Sequence, residues 1–152
     1  MINRYFSSDL LALIKESRNV AISFGDDFIS SFHFLIADCN LKAPYSIRSF
    51  IFKTEEAYQE YLIECRKTYN IVGQYFDSKD SLPLTLELEK AILRMRIIFK
   101  ADKANPYYPA HLFYSLLKDK SSEFYRLFEE GERCSPEELT VHYNDRGLIL
   151  FV

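Results

Sequence analysis

The sequence predicts an all-α fold of two pseudo-symmetric four-helix repeats, and three observations favour this fold class. Apolar residues recur at spacings of three and four, which is the periodicity of an amphipathic helix. Only 4 of the 152 residues are glycine, and the alternation typical of strands is scarce. The chain also aligns with itself, without a gap, at the constant offset that places Phe6 on Leu84; we refer to it as the repeat offset. Its length is sufficient for one compact domain.

The first repeat is predicted at about residues 5–69 and begins with a well-delimited helix. This helix covers about 9–22, with apolar residues along one face. Either Ser7 or Ser8 supplies the N-cap, because a hydroxyl oxygen at that position accepts a backbone N–H of the first turn. Gly25 follows the helix, where glycine readily takes the left-handed conformation that ends a helix.

Three more helices complete the predicted first repeat. The second covers about 31–39, and Pro44 marks the loop that follows it. A short third helix is predicted over 45–52. Thr54 opens a fourth helix, whose first turn is acidic. Its apolar stripe consists of Ala57, Tyr58, Tyr61, Leu62 and Cys65.

Residues 70–83 are predicted to be a connector, because the helical periodicity stops there and Gly, Asp, Ser and Pro accumulate. The second repeat then covers about 84–143. Its first helix starts near Thr85 and ends before the polar run that begins at Ala101. This helix carries the clearest apolar stripe in the chain, which consists of Leu88, Ala91, Ile92, Met95, Ile98 and Phe99.

Three shorter helices complete the predicted second repeat. One covers about 109–118 and has proline at its first position. The next is capped by Ser121 or Ser122 and ended by Gly131. The last is capped by Ser135, which is followed by a proline and by a glutamate in the capping-box position.

The C-terminal tail, residues 144–152, begins with a turn-forming sequence and ends in five consecutive apolar residues. Such an ending is unfavourable in water unless it is covered. We therefore expect the tail to be covered in one of three ways: by docking on the body of the protein, by pairing as a β-strand, or by contact with a partner.

Composition and charge exclude several classes of function. The chain has 19 basic and 22 acidic residues, a formal charge of −3 and no basic stripe, which disfavours nucleic acid as a partner. Its three cysteines lie at long spacings that suit neither a disulfide framework nor a zinc site, so we expect no metal and no cofactor. Neither a secretory signal nor a membrane span is evident. We expect a soluble, cytoplasmic protein.

Two histidines, His33 and His111, occupy equivalent positions in the two repeats. Both lie within apolar helices, without a nearby series of carboxylates or thiolates, so we expect a structural role with the ring nitrogens bonded to backbone near a helix start. The alternative is a small-molecule sensor or an enzyme that pairs one histidine with Cys39 or Cys134. No local sequence signature favours that alternative.

The repeat offset aligns positions that matter structurally. Neither half is long enough to bury its apolar stripes alone, so we expect the two halves to pack around a shared core. The aligned residues lie mainly at predicted helix starts: Phe6-Ser7 with Leu84-Thr85, Ile29 with Tyr107, His33 with His111, Ile47 with Tyr125, Arg48 with Arg126, and Phe50 with Phe128.

Each half thus has an opening Phe/Leu-Ser/Thr pair, a helix, and a short loop that leads into an apolar helix containing a histidine. This pattern resembles the paired repeat in the amino-terminal domains of Clp-type AAA+ unfoldases. The resemblance covers about residues 5–143. That family commonly has Glu directly before the histidine, where this chain has Phe32 and Ala110.

The resemblance implies a protein-interaction module that is not an enzyme. No G-x-x-x-x-G-K-[ST] loop accompanies the repeats, so an adaptor or docking subunit is expected rather than an ATPase. The implied partners are a Clp-type unfoldase, a substrate delivered to it, or a secretion machine that uses one, as in type VI secretion. The implied protein- or peptide-binding residues are Phe6, Ser7, Leu84, Thr85 and Glu89. The alternative for Phe6 and Leu84 is that they are hydrophobic staples, which pack against their own helices. A structural subunit held in an assembly by its apolar tail is the alternative.

Overall fold

A computed structural model describes residues 5–41, 52, 54–69, 82–122, 124–126 and 138. This part of the chain forms helices α1 (Ser8–Phe24), α2 (Ser31–Leu41), α3 (Glu55–Tyr69), α4 (Leu86–Ile98) and α5 (Pro109–Leu117). The described residues contain no strand, and the prediction of an all-α fold is confirmed. Among these helices, none has both the length and the apolar character needed to cross a membrane.

Helix α1 has both of the ends that its sequence predicts. Ser7 is the N-cap, and its Oγ accepts the N–H of Leu10 at 3.1 Å. Ser8 is already the first helical residue, so the choice between the two serines falls on Ser7. Gly25 adopts the left-handed conformation with φ of 77°, and its N–H donates to carbonyl groups of the last turn.

A threonine directly precedes each of the helices α3 and α4. The Thr54 Oγ1 accepts the N–H of Ala57 at 3.1 Å, and the Thr85 Oγ1 accepts the N–H of Leu88 at 3.4 Å. Farther along the chain, the Ser122 Oγ accepts the N–H of Tyr125 at 2.9 Å. Hydroxyl side chains therefore satisfy backbone donors that a helix start leaves without an intrahelical partner.

The most enclosed helices are α2 and α5, which carry the two predicted histidines. Residues 31–39 of α2 are all buried, as are seven of the nine residues of α5. Helix α1 packs against α2, helix α4 packs against α5, and α1 also contacts α5. One buried cluster contains side chains from both halves of the chain. The largest fully buried side chains are Phe34, Phe99, Phe113, Phe124, Leu10, Leu13, Leu35, Leu88 and Met95.

The segment before α1 pairs with the segment before α5. Phe6 and Tyr107 form an isolated parallel β-bridge. The N–H of Ser7 donates to the Tyr107 carbonyl oxygen at 2.9 Å, and the N–H of Tyr107 donates to the Tyr5 carbonyl oxygen at 2.7 Å. A short extended segment of the first half is therefore held by backbone bonds to the second half.

The segment before α2 makes the reciprocal pairing with the segment before α4. Ile29 and Leu84 form a second parallel bridge. The N–H of Thr85 donates to the Ile29 carbonyl oxygen at 2.9 Å, and the N–H of Ile29 donates to the Pro83 carbonyl oxygen at 2.8 Å. The repeat offset converts every residue of the first pairing into its counterpart in the second. We refer to these two bridges as the crossed pairings.

Several predicted elements fall outside the described residues. They include residues 45–51 of the short third helix, residues 70–81 of the connector and the whole tail, 144–152. Phe52, the last residue of that predicted third helix, is described and is buried but not helical. Of the two final predicted helices, residues 124–126 and 138 are described and are helical.

Candidate functional site

The histidines of α2 and α5 perform the same task at the start of their helices. Each is the third helical residue, and its Nδ1 accepts the backbone N–H of the residue before the helix. The N–H of Ser30 lies 2.9 Å from Nδ1 of His33, and the N–H of Tyr108 lies 2.8 Å from Nδ1 of His111. This is the bond that Glu or Gln usually supplies in a capping box. An accepting Nδ1 requires that the proton of the neutral ring be on Nε2.

The Asp26 carboxylate contacts the other nitrogen of the His33 ring, Nε2. Nε2 of His33 lies 2.7 Å from Oδ2 of Asp26, and both side chains are 0% exposed. The expectation that no carboxylate lies near the histidines is therefore wrong for His33. Asp26 directly follows the glycine that ends α1, so its bond to His33 ties the end of α1 to the start of α2. The equivalent residue of the second half is Ala104, which is exposed.

Burial keeps both imidazole rings neutral near pH 7. It lowers the pKa of His33 from 6.5 to about 3 and that of His111 from 6.5 to about 4, although the bond from Tyr108 acts in the opposite direction on His111. Burial, with a smaller contribution from the negative charge of Asp27, raises the pKa of Asp26 from 3.8 to about 6. Loss of solvation disfavours the charged form of each group.

Ser30, His33 and Asp26 are arranged in the order of a nucleophile, a base and an acid. The Ser30 Oγ lies 3.2 Å from Nδ1 of His33, whose Nε2 contacts Asp26. Nδ1 also accepts the Ser30 N–H, and the exposed fractions of Ser30, His33 and Asp26 are only 6%, 0% and 0%. Side chains enclosed to this extent present almost no surface that a substrate could contact in this structure. The trio is therefore a buried structural network.

The thiols give no support to a Cys/His enzyme in the described part of the chain. Cys39 and Cys65 are both buried. Buried thiols in apolar surroundings are unreactive, because burial disfavours the thiolate. Within the described residues, no group of three or more His, Cys, Asp or Glu side chains is placed to hold a metal ion. Cys134, the other cysteine of that prediction, lies outside these residues.

The predicted binding residues of the two opening motifs lie at the crossed pairings. Ser7 and Thr85 use their hydroxyl groups as N-caps, and Ser7 is buried. Phe6 and Leu84 are half-buried and form the bridges. The structure joins each motif to the opposite half of the chain. Glu89 stands apart from them as an exposed residue one turn into α4.

Arg96 and Tyr107 complete the surroundings of Phe6, and neither residue was identified from the sequence as part of a site. The Phe6 and Tyr107 rings meet edge to face, with centroids 6.0 Å apart. The Arg96 guanidinium carbon lies 5.3 Å from the Phe6 centroid, within the range of a cation–π contact. A signal was present, because the repeat offset pairs Arg96 with Arg18.

Helix α4 also has an exposed apolar face. Leu86, Leu93 and Ile97 are 64%, 62% and 75% exposed. They lie in one line along the helix with the exposed Lys90, at positions i, i+4, i+7 and i+11. We refer to these four residues as the α4 stripe. Only the opposite, buried face of this helix was assigned from the sequence.

Searches of protein-family models and of curated proteins found no match to this chain. Three features define the geometry of the site: histidines enclosed at two helix starts, crossed pairings between the halves, and the exposed α4 stripe.

We expect acidification to lower the free energy of unfolding. The neutral histidines contribute stability that is fully present above pH 6.5 and is lost as the pH falls toward 4 for His111 and toward 3 for His33. By about pH 5, the lowered pKa of each histidine reduces the free energy of unfolding by about 2 kcal/mol. The raised pKa of Asp26 has the opposite effect below pH 6 and offsets about 1 kcal/mol of this loss. Urea unfolding at about pH 7.5 and about pH 5 measures the difference.

The variant His111→Asn is the control for this pH dependence. Its amide oxygen lies near the position of Nδ1 and still accepts the Tyr108 N–H, but the side chain does not titrate. The acid-induced loss should therefore be smaller by about 2 kcal/mol. An unchanged loss would show that His111 is not the group being protonated.

Proposed function

We propose that the protein is a non-catalytic interaction module of the adaptor or docking type. One contrast carries this proposal. The titratable groups with a catalytic geometry, Asp26 and His33, are enclosed and hydrogen-bonded, while large apolar side chains of α4 are exposed. Clustered apolar side chains on a surface are typical of sites that bind proteins. Enclosed histidines at helix starts stabilise the fold that presents such a surface.

The second element of the proposal is the paired-repeat arrangement of the Clp amino-terminal domains. The crossed pairings support it, because the same offset relates both bridges and both sets of backbone bonds. The N-caps at Ser7 and Thr85, and the bonds to His33 and His111, follow the same offset. Repeats that exchange segments in this way depend on each other for burial.

The proposed partner is a protein or peptide, and its contact surface is the region around the opening motif of the second half. Leu84 is half-buried there, Leu86 is exposed, and Glu89 adds a negative charge one turn along the same helix. An extended segment with an apolar side chain followed by a basic one would complement this surface. By the resemblance, the partner is a Clp-type AAA+ unfoldase, its substrate, or a component of a secretion machine, and the location is the cytoplasm.

Affinity capture from the native cell, followed by mass spectrometry, tests this function. The purified wild-type chain should enrich an AAA+ unfoldase or a secretion component. Glu89→Lys should reduce that enrichment about tenfold, because loss of one charge-assisted contact and a like-charge repulsion together amount to about 1.4 kcal/mol. Glu64→Lys is the matched control, since Glu64 is also an exposed helical residue.

Two outcomes would contradict the proposal. A wild-type capture without any AAA+ or secretion component would remove the proposed partners. Equal enrichment by wild type and Glu89→Lys, with an unfoldase present, would place the contact elsewhere on the surface.

A further inference from the structure

The α4 stripe has the geometry of a helix–helix seam. Leu86, Lys90, Leu93 and Ile97 repeat at intervals of four, three and four residues, so they stay on one side of α4 over its whole length. The opposite side, which includes Leu88, is buried in the core. The helix therefore presents one apolar face inward and a second one to the surface.

The charges that flank the stripe are divided along the helix. Glu87 and Glu89 lie in the first turn, whereas Arg94 and Arg96 lie near the other end. Two such helices in parallel would place like charges together. In an antiparallel pair, the acidic end of each helix faces the basic end of the other, and the helix dipoles are also opposed favourably.

We propose that a second copy of this chain occupies the α4 stripe, with the two α4 helices antiparallel about a two-fold axis. In the register that centres the stripe, Leu86 meets Ile97 of the second copy, and Lys90 meets Leu93 of the second copy. The stem of Lys90 packs on the seam while its ammonium group stays in water. The same residues meet in both directions, as a two-fold interface requires.

The flanking charges agree with this register. On one side of the seam, Glu87 faces Arg94 of the second copy. On the other side, Glu89 faces Arg96 of the second copy, and each of the two pairs is about 3 Å out of exact alignment along the axis. The guanidinium groups of Arg94 and Arg96 also contact their own chain, at the Ser115 carbonyl oxygen and the Phe6 ring, so the pairing depends on attraction between opposite charges rather than on direct ion pairs. Charge complementarity therefore selects a second copy of the chain in one orientation.

The size of the seam determines how tight the dimer is. A helix of 13 residues is about 20 Å long, and a pair of single helical faces of this length buries less than about 1,200 Å² in total. Interfaces of that size are reversible. The dimer is therefore expected to depend on protein concentration, and it competes with a client bound near Leu84 because both surfaces include Leu86 and Glu89.

Sedimentation velocity across about 5 to 500 μM of the purified chain tests the dimer. The mass should rise from 17.9 kDa toward twice that value as concentration increases. Leu93→Asp places a charge in the seam and should remain monomeric throughout. Ile63→Asp is the control, because Ile63 is an exposed apolar residue of α3, and it should dimerise normally. A constant monomer mass, or normal dimerisation of Leu93→Asp, would overturn the proposal.

Disulfide trapping tests the orientation. Leu86→Cys and Ile97→Cys, oxidised separately, should stay uncrosslinked, because the two copies of each residue lie about 16 Å apart along the axis of an antiparallel pair. A mixture of the two variants should give a crosslink between positions 86 and 97, identified by peptide mass spectrometry. The oxidised wild-type chain gives the background from its native thiols. Crosslinking of either variant alone would contradict the antiparallel arrangement.

Discussion

Replacement of His33 by leucine is expected to lower the free energy of unfolding by about 3–5 kcal/mol. The substitution removes the acceptor of the buried Ser30 N–H and the donor to Oδ2 of Asp26. Oδ1 of Asp26 already has no hydrogen-bond partner among the described residues. After the substitution, neither oxygen of this buried carboxyl group would have a hydrogen-bond partner among those residues. Urea unfolding near pH 7, monitored by far-UV circular dichroism, measures the loss.

Two further variants isolate the contribution of the carboxylate. His111→Leu removes an equivalent N–H acceptor at Tyr108, but the position that corresponds to Asp26 is an exposed alanine, so a smaller loss of about 1–3 kcal/mol is expected. Asp26→Asn keeps an acceptor for His33 without a buried charge and should change stability by less than about 1 kcal/mol. Equal losses for His33→Leu and His111→Leu would show that the carboxylate contact contributes little.

Phe34→Ala is expected to destabilise the protein by about 3–5 kcal/mol. Phe34 is 0% exposed in α2, which is enclosed along residues 31–39, so the neighbouring helices have little freedom to close the cavity. A loss of this size is a large fraction of the stability of an ordinary domain, which is about 5–15 kcal/mol. The same urea unfolding measurement determines it.

Leu93→Ala provides the comparison for this core substitution. Leu93 is 62% exposed, and its truncation should change the stability of the monomer by less than about 0.5 kcal/mol. The free energy of unfolding should be measured at low protein concentration, where self-association does not contribute to it. A loss below about 1 kcal/mol for Phe34→Ala would mean that the centre of α2 is not packed to native density.

The sequence predicts helices best where local signals and packing agree. Helix α1 has a serine cap, an apolar face and a terminal glycine, and its observed bounds extend the prediction by only one or two residues at each end. Helix α4 agrees equally well because Thr85 caps it and its buried face carries the predicted apolar stripe. The all-round burial of residues 31–39 in α2 could not be predicted, since a helix enclosed on every side has no amphipathic pattern to reveal its neighbours.

The candidate site was only partly predictable. The positions of His33 and His111 near helix starts follow from the offset between the halves, and so does the placement of the opening motifs. The contact between Asp26 and His33 did not follow, because it depends on how the chain turns after α1 rather than on helical spacing. The exposed α4 stripe was missed for a different reason: both faces of the helix are apolar, and only the packing of the folded chain separates the inner face from the outer one.

The crossed pairings have a consequence for the protein while it is being made. The Phe6 segment meets Tyr107, far later in the chain, and the Ile29 segment meets Leu84. At translation rates of about 5–20 residues per second, Phe6 waits roughly 5 to 20 s after its own emergence before its pairing segment leaves the ribosome. Throughout that interval the nascent amino-terminal part displays apolar surface, which makes it a client for chaperones that act on chains still under synthesis.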